Sequence, residues 1–268
     1  MPCIVGAGLG GRCGGGFGVR EAGLGPRRAA VSGRGARPLT PDQIVGCGLE
    51  LVDEVGLSGF TTRALAERLG TYPATLYWHV GNRSQLLAAV VDRALGEVAV
   101  EPAGSVDWQE WLRRGARSYR AVLHRHPNLA PVVVSQLVVS APATRLVEVV
   151  LSVLDRAGFR GQALAHAFNT YIGSLVGWVS AELSAPPPEA GTSWQQAFAS
   201  AVAGLPPGEF PVIAANRDQL ADAVFSLRWH GGAERPLDAS FEWAVETWIS
   251  GLARQLEGLD RNSAATHS

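Results

Sequence analysis

Apolar residues recur at helical spacing along most of the chain, and the polar residues between them carry the signals that start and stop helices. After Thr40-Pro41-Asp42-Gln43, the residues Ile44, Leu51, Val52 and Val55 fall on one helical face. Thr40 and Gln43 occupy the two positions of a capping box, Pro41 suits a first turn, and Gly56 suits a helix end. Gly48 lets a neighbouring element approach closely. A second helix is expected from Thr61-Thr62 through Leu65, Ala66 and Leu69 to Gly70, and a short third from Pro73 to about Val80. Asn82-Arg83-Ser84-Gln85 forms another capping box, opening a long helix through Leu86, Leu87, Val90, Val91 and Leu95.

Pro102-Ala103-Gly104 interrupts the pattern, which then resumes. Helices are predicted from Asp107 to about Arg125, briefly after Pro127, over Ala143–Ala157 and over Gln162–Leu183. Pro186-Pro187-Pro188 marks a loop, and Ser193 opens a further helix. Residues 205–237 are broken by prolines and glycines, with one helix expected near Ala214–Phe225. Asp238 caps a last helix to about Leu256. Val132-Val133-Val134 and Leu137-Val138-Val139 have strand propensity, but their flanks favour buried helix. No segment alternates convincingly with period two, so the predicted class is all-α. Residues 1–38, with twelve glycines, are expected to be a disordered Gly/Arg-rich tail, and 260–268 a second, polar disordered tail.

The 47% hydrophobic content is enough for a sizeable core. No run of 18 apolar residues suggests a membrane span, and residues 1–25 lack the apolar centre of a secretion signal. Cys3, Cys13 and Cys47 are too few and too scattered for a disulfide framework or a metal site. These features point to a cytoplasmic protein with no metal, no cofactor and no membrane partner. Charge is unevenly placed. Residues 1–37 hold six arginines and one acid, whereas 39–83 hold three arginines and five acids. A basic segment ahead of an acidic body suggests an anionic partner, met by a tail that would supply charge the next segment lacks.

A helix, a turn at Gly70-Thr71-Tyr72 and a second short helix give the outline of a helix-turn-helix. Leu65, Ala66, Leu69, Leu76 and Val80 would pack inward, leaving Tyr72, Ala74, Thr75, Tyr77 and His79 on or beside an open face behind the prolyl turn of Pro73. Aromatics and a hydroxyl in that position suit base edges, thymine methyls and phosphates. Phe60-Thr61-Thr62-Arg63-Ala64-Leu65-Ala66-Glu67-Arg68-Leu69-Gly70, followed by Ala74-Thr75-Leu76-Tyr77-Trp78-His79-Val80-Gly81-Asn82-Arg83, resembles the DNA-binding domain of TetR-type regulators, and Leu76–Val80 is especially similar to the tetracycline-repressor branch. The resemblance is strong over 40–95. It continues more weakly to the C-terminus through Asp107–Leu112 and Gly251–Leu256.

That resemblance implies a three-helix DNA-binding domain over 39–98 and a helical ligand-binding and dimerisation domain over 105–259. It implies that Thr62 touches phosphate, Arg63 reaches a guanine edge, and Ala74 and Thr75 meet bases. Tyr77 and His79 would bond phosphates, and Arg83 would hold the DNA backbone at a helix start. Tyr72 and Pro73 complete the expected DNA-facing set. Pro73 stands where the branch often has glutamine, so its operator sequence does not carry over.

In the second domain the resemblance implies an apolar cavity with a few polar groups. Tyr119, His124, Gln136, His166, Asn169, Tyr171 and Trp178 are the candidates for those groups. Ala99 and Gly115 stand where tetracycline-binding relatives carry a histidine and an asparagine, so a different and more apolar effector is expected. The helices Gln162–Leu183 and Asp238–Leu256 resemble the pair that joins two subunits. Phe168, Ile172, Leu175, Val176 and Val179, with Phe241, Val245, Trp248, Ile249 and Leu252, supply their apolar stripes. The expected function is therefore a homodimeric repressor released from a palindromic operator by a small, largely apolar molecule. Switching by a protein partner is the alternative. An enzyme is disfavoured by the lack of metal-ligand spacings, a phosphate loop before a helix or a nucleophile elbow.

Overall fold

The computed structural model describes residues 39–135, 141–184 and 193–266. The expected tail 1–38 and the candidate Gln136 lie outside these, as do Leu137–Val139. Among the described residues there are twelve α-helices and no strand.

The capping signals act where the chain places them. Before α1 (Pro41–Gly59), Thr40 Oγ1 accepts from Gln43 N at 3.2 Å, and Gln43 Oε1 accepts from Thr40 N at 3.0 Å. Thr61 caps α2 (Thr62–Arg68), Asn82 and Gln85 form the box that opens α4 (Arg83–Leu95), and Asp107 caps α5 (Trp108–Arg125). Between α2 and α4 lies the short α3 (Pro73–Val80). Gly56 is a kink rather than an end: its φ of 68° breaks α1, and one more turn follows to Gly59. Helix α4 lies close against α1, and a Cβ at Gly48 would come within 2.9 Å of a Val90 methyl. Ile44, Val52, Leu65, Leu76, Leu86 and Val90 close a small core among the first four helices.

A 3-10 turn (Pro127–Leu129) leads into α6 (Ala130–Ser135), and the larger helices α7 (Ala141–Ala157), α8 (Gly161–Glu182) and α12 (Asp238–Thr266) pack around α5. Leu112, Ala116, Leu123, Leu154, Tyr171, Val179, Val245 and Ile249 are buried between them. Two expectations are corrected here. Part of each stripe taken for a subunit interface faces the chain's own interior: Leu175, Val179, Phe241, Val245, Ile249 and Leu252 are buried within one chain, whereas Phe168, Ile172, Val176 and Trp248 are half-buried. An apolar stripe looks the same in sequence whether it meets its own core or a partner. Helix α12 also continues to Thr266, past the expected end near Leu256, so 260–266 is helical rather than a disordered tail. Apart from Gly258, that extension contains no helix-breaking residue.

The segment after α9 (Trp194–Ala203) also differs from expectation. In place of one helix near Ala214–Phe225 it forms α10 (Pro211–Ala215), α11 (Arg217–Leu220) and a 3-10 turn at Phe225–Leu227. The first break falls at Asn216, between α10 and α11, and Asp222 follows the end of α11. Asp222 sits at φ 57°, and its carboxylate accepts from the backbone N–H groups of Trp229 and His230 and from Arg235.

A buried charge ties these parts together. Glu182, at the end of α8, is 1% exposed. Arg120 of α5 donates to both of its oxygens at 2.7 and 2.8 Å, Leu237 N donates at 2.8 Å, and His124 Nε2 lies 3.1 Å away. Burial alone would raise this carboxyl's pKa, but the hydrogen bonds from Arg120, His124 and Leu237 outweigh it and hold the group at about 2. The Arg120 guanidinium also reaches Asp238 and lies 4.8 Å over the Phe241 ring.

Candidate nucleic-acid interface and ligand cavity

The turn between α2 and α3 depends on Gly70, whose φ of 63° suits glycine, and Leu65, Ala66 and Leu76 bury the inner sides of both helices. The opposite side of α3 is open. Tyr72 is 80% exposed and Trp78 83%, Tyr77 is partly exposed, and Pro73 and Ala74 are also exposed. Thr75 and His79 are half-buried at its edges. The Tyr77 hydroxyl donates to Thr62 Oγ1 at 3.2 Å, joining α3 to the first residue of α2. Arg83 donates to the Phe60 carbonyl at 3.3 Å and stacks over the Phe60 ring, which places it beside the start of α2. Arg63 pairs with Glu67 at 2.9 Å on the surface. The structure therefore brings the sequence-derived residues Thr62, Tyr77 and Arg83 to one edge, with Tyr72, Pro73 and Ala74 at the exposed start of α3.

Trp78 was missing from the expected open face. It lies about 200° around the helix from Leu76, so the wheel that buries Leu76 could have found it. Its ring packs edge-on against His79, with centroids 4.8 Å apart.

Helix α4 runs from this surface to a cavity of about 570 Å³. Val91 and Leu95 of α4, Val98 and Val100 beyond it, Tyr119 of α5, Leu146 and Val150 of α7, and Phe168, Ile172, Leu175 and Val176 of α8 line it. The stripe of α8 that sequence reasoning gave to a partner is thus mostly cavity wall. Asp92 and Arg145 are the charged residues of the lining. A small pocket of about 40 Å³ adjoins it, sharing Tyr119 and Val98 and reaching Ala99, Gly115 and Tyr171.

Of the candidate ligand residues, Tyr119 lines both spaces and Tyr171 lines the smaller one. Tyr171 is occupied, since its hydroxyl donates to the Leu112 carbonyl at 2.8 Å. The other described candidates are not brought there. His124 is spent on Glu182, and Trp178 packs against Phe225 and Phe241. His166 and Asn169 lie on the exposed side of α8. A polar residue within an apolar helix marks a special position but not which side it takes. Glu182 and Phe225, the contacts of His124 and Trp178, line a separate cavity of about 280 Å³.

A joint that sequence reasoning did not anticipate connects the two regions. Asn128, after α5, donates to the carbonyls of Val52 and Asp53 at 3.0 and 3.2 Å, capping α1 where Gly56 breaks it. His126 Nδ1 lies 2.8 Å from Asp53 Oδ2.

Two family models match the chain: bacterial regulatory proteins, tetR family, over residues 44–90, and tetracyclin repressor-like, C-terminal domain, over residues 101–256. The chain belongs to the TetR family. It is 34% identical to the tetracycline repressor protein class A from transposon 1721 of Escherichia coli over 146 residues, 54% of this chain and 67% of that protein. It is 29% identical to the HTH-type transcriptional repressor DrrR1 of Streptomyces coeruleorubidus over 214 residues, 76% of this chain and 78% of that one. Across the curated relatives the matched stretch spans from 39% to 78% of the relative's own length. The fold is similar to the TetR family protein ActR of Streptomyces coelicolor, solved in complex with actinorhodin, with a TM-score of 0.64 and 26% identity over 81% of this chain and 97% of that one. As a TetR-family member the chain is a DNA-binding transcriptional regulator. Among the described residues no helix is long and apolar enough to cross a membrane, and no cluster of metal-ligating side chains occurs.

Proposed function

We propose that the chain is a repressor that binds a palindromic operator as a homodimer and is released by a small, largely apolar effector held between α4, α5, α7 and α8. Residues 39–98 act as the DNA-binding unit and 105–259 as the sensing and dimerisation unit. One observation carries this reading. The same helix, α4, has Arg83 at the DNA-reading edge and Val91 and Leu95 in the cavity wall. An effector that binds the tilted position of α4 more tightly shifts the protein toward it. Two recognition helices must sit about one DNA turn apart, ~34 Å, so a small tilt is enough to release the operator.

Tyr72, Pro73, Ala74 and Thr75 meet bases, Trp78 widens the contact, and Thr62, Tyr77, His79 and Arg83 hold phosphates, with Arg63 free to leave its exposed pair for a guanine. The relatives' names support repression, and the ActR complex supports a cavity ligand. A largely apolar effector follows from the walls, and Ala99 and Gly115 offer no polar anchor. Pairing of subunits uses the outer sides of α8 and α12, where an added Cβ at Gly173, Gly177 or Gly251 would meet nothing within 4 Å and Trp243 is 79% exposed. The test is a gel shift with the gene's own upstream DNA combined with sedimentation. The expected result is a shifted complex and a dimer at micromolar concentration. A monomer that leaves that DNA unshifted would sink the proposal.

A further inference from the structure

We infer that Glu67 sets how tightly the chain holds DNA, by competing with the DNA for the Arg63 guanidinium. The inference rests on the DNA-reading edge proposed above and adds to it a residue that opposes binding.

The arginines of α1–α4 are not equally available. Arg68 of α2 is committed to the scaffold: it donates to both oxygens of Glu54 and, at 3.2 Å, to Glu50, both on α1, and its side chain is partly buried. Arg93 of α4 pairs with Asp42 of α1. Arg83 is held by the Phe60 carbonyl and ring instead of by a carboxylate. Arg63 lies between these cases. Its Nε donates to Glu67 at 2.9 Å, one turn further along α2, but the two side chains are 85% and 66% exposed. Water screens so exposed a pair, and the guanidinium can leave it at small cost. Arg68, clamped by two acids of another helix, has no such freedom.

The position of the pair gives it a role. Arg63 follows Thr62, whose hydroxyl is bonded by Tyr77, and Arg83 reaches back to the same end of α2. Arg63 therefore stands beside the edge proposed to meet DNA. A guanidinium there serves a phosphate or a guanine, and either contact asks Nε and its neighbours to turn from Glu67. Each contact Arg63 makes is offset by the pair it gives up. The offset weighs heavily here, because residues 39–83 carry three arginines against five acids and have few cations to spend on phosphates.

The test measures, by fluorescence anisotropy across a salt series, binding of a duplex from the gene's own upstream region to wild type, Glu67→Gln, Arg63→Gln, the double variant and Arg83→Gln. All three side chains are exposed, so the variants are expected to melt with wild type. Glu67→Gln should bind about threefold more tightly at low salt, with a salt slope steeper by about one phosphate contact. That gain should be lost in the Arg63→Gln background, and Arg83→Gln should weaken binding. An equal gain from Glu67→Gln with and without Arg63 would show a general effect of charge and overturn the competition. Unchanged or weaker binding by Glu67→Gln, with Arg83→Gln still weakened, would overturn the inference and leave the DNA-reading edge standing. Full affinity in Arg83→Gln would overturn that edge and this inference with it.

Discussion

The first four helices and the bundle built on α5 both carry surface ion pairs, but only the bundle also buries a charged network, at Glu182. In α1–α4 the residues proposed to meet DNA lie outside: Tyr72, Tyr77 and Trp78 face solvent, and the ion pairs Arg63–Glu67, Arg68–Glu54 and Arg93–Asp42 are on the surface. In the bundle the feature of interest is a mostly apolar cavity between helices, and Glu182, the residue that ties α5, α8 and α12 together, is itself buried. A surface that reads DNA has to stay open and can rest on a small core. A cavity has to be kept from collapsing, and a fully bonded buried charge fixes the position of the helices around it. The contrast predicts that damage in the first region costs recognition and damage in the second costs stability.

The largest expected effect is at the buried charge. Glu182→Ala leaves Arg120 buried without its main partner and should destabilise the protein by about 3–5 kcal/mol in urea melts. Removing Glu67, whose pair with Arg63 is exposed, should change stability by no more than ~0.5 kcal/mol. Equal losses from the two substitutions would erase the contrast. Next comes Tyr77→Ala, which removes a hydroxyl from the edge proposed to face DNA and its bond to Thr62. Operator affinity should fall about tenfold, ~1.4 kcal/mol, with little change in melting temperature. A stability loss without an affinity loss would move Tyr77 from the interface into the scaffold.

The helix starts were legible because their causes are local. Thr40 with Gln43 and Asn82 with Gln85 are three residues apart, and each box forms as its spacing implies. The exposed side of α3 was legible for the same reason, except for Trp78. The cavity was not. Phe168, Ile172 and Val176 form a good apolar stripe, but three destinations are open to such a stripe, and tertiary packing chooses among them. Asp222 was missed because its partners at 229, 230 and 235 are brought to it by a turn whose positive φ no spacing announces. The Asn128 cap on α1 joins residues some 75 positions apart, and no local pattern encodes it.

Acid offers a finer probe of the bundle. The Glu182 and Asp222 carboxyls are both held at about 2 in the folded protein, below the ordinary range of ~3.9–4.3 expected once unfolded. Their contribution is complete above that range and is lost as pH falls from about 4 toward 2. Stability should drop in that window, and Glu182→Gln should flatten the drop in a pH series of urea melts. The smallest effect concerns residues 1–38. Deleting them removes six arginines and one acid beside a region that is itself acidic, so DNA affinity should weaken modestly and its salt dependence become shallower. An unchanged salt slope would show that the tail contributes no phosphate contacts.

The central claim is that α4 carries the state of the cavity to the DNA-reading face. It is tested most directly by fluorescence anisotropy of the operator duplex with wild type and with Ile172→Trp, whose added ring occupies the cavity without any ligand. The account predicts that Ile172→Trp remains folded and dimeric but binds the operator at least tenfold more weakly. Unchanged operator affinity in the folded, dimeric variant would contradict it.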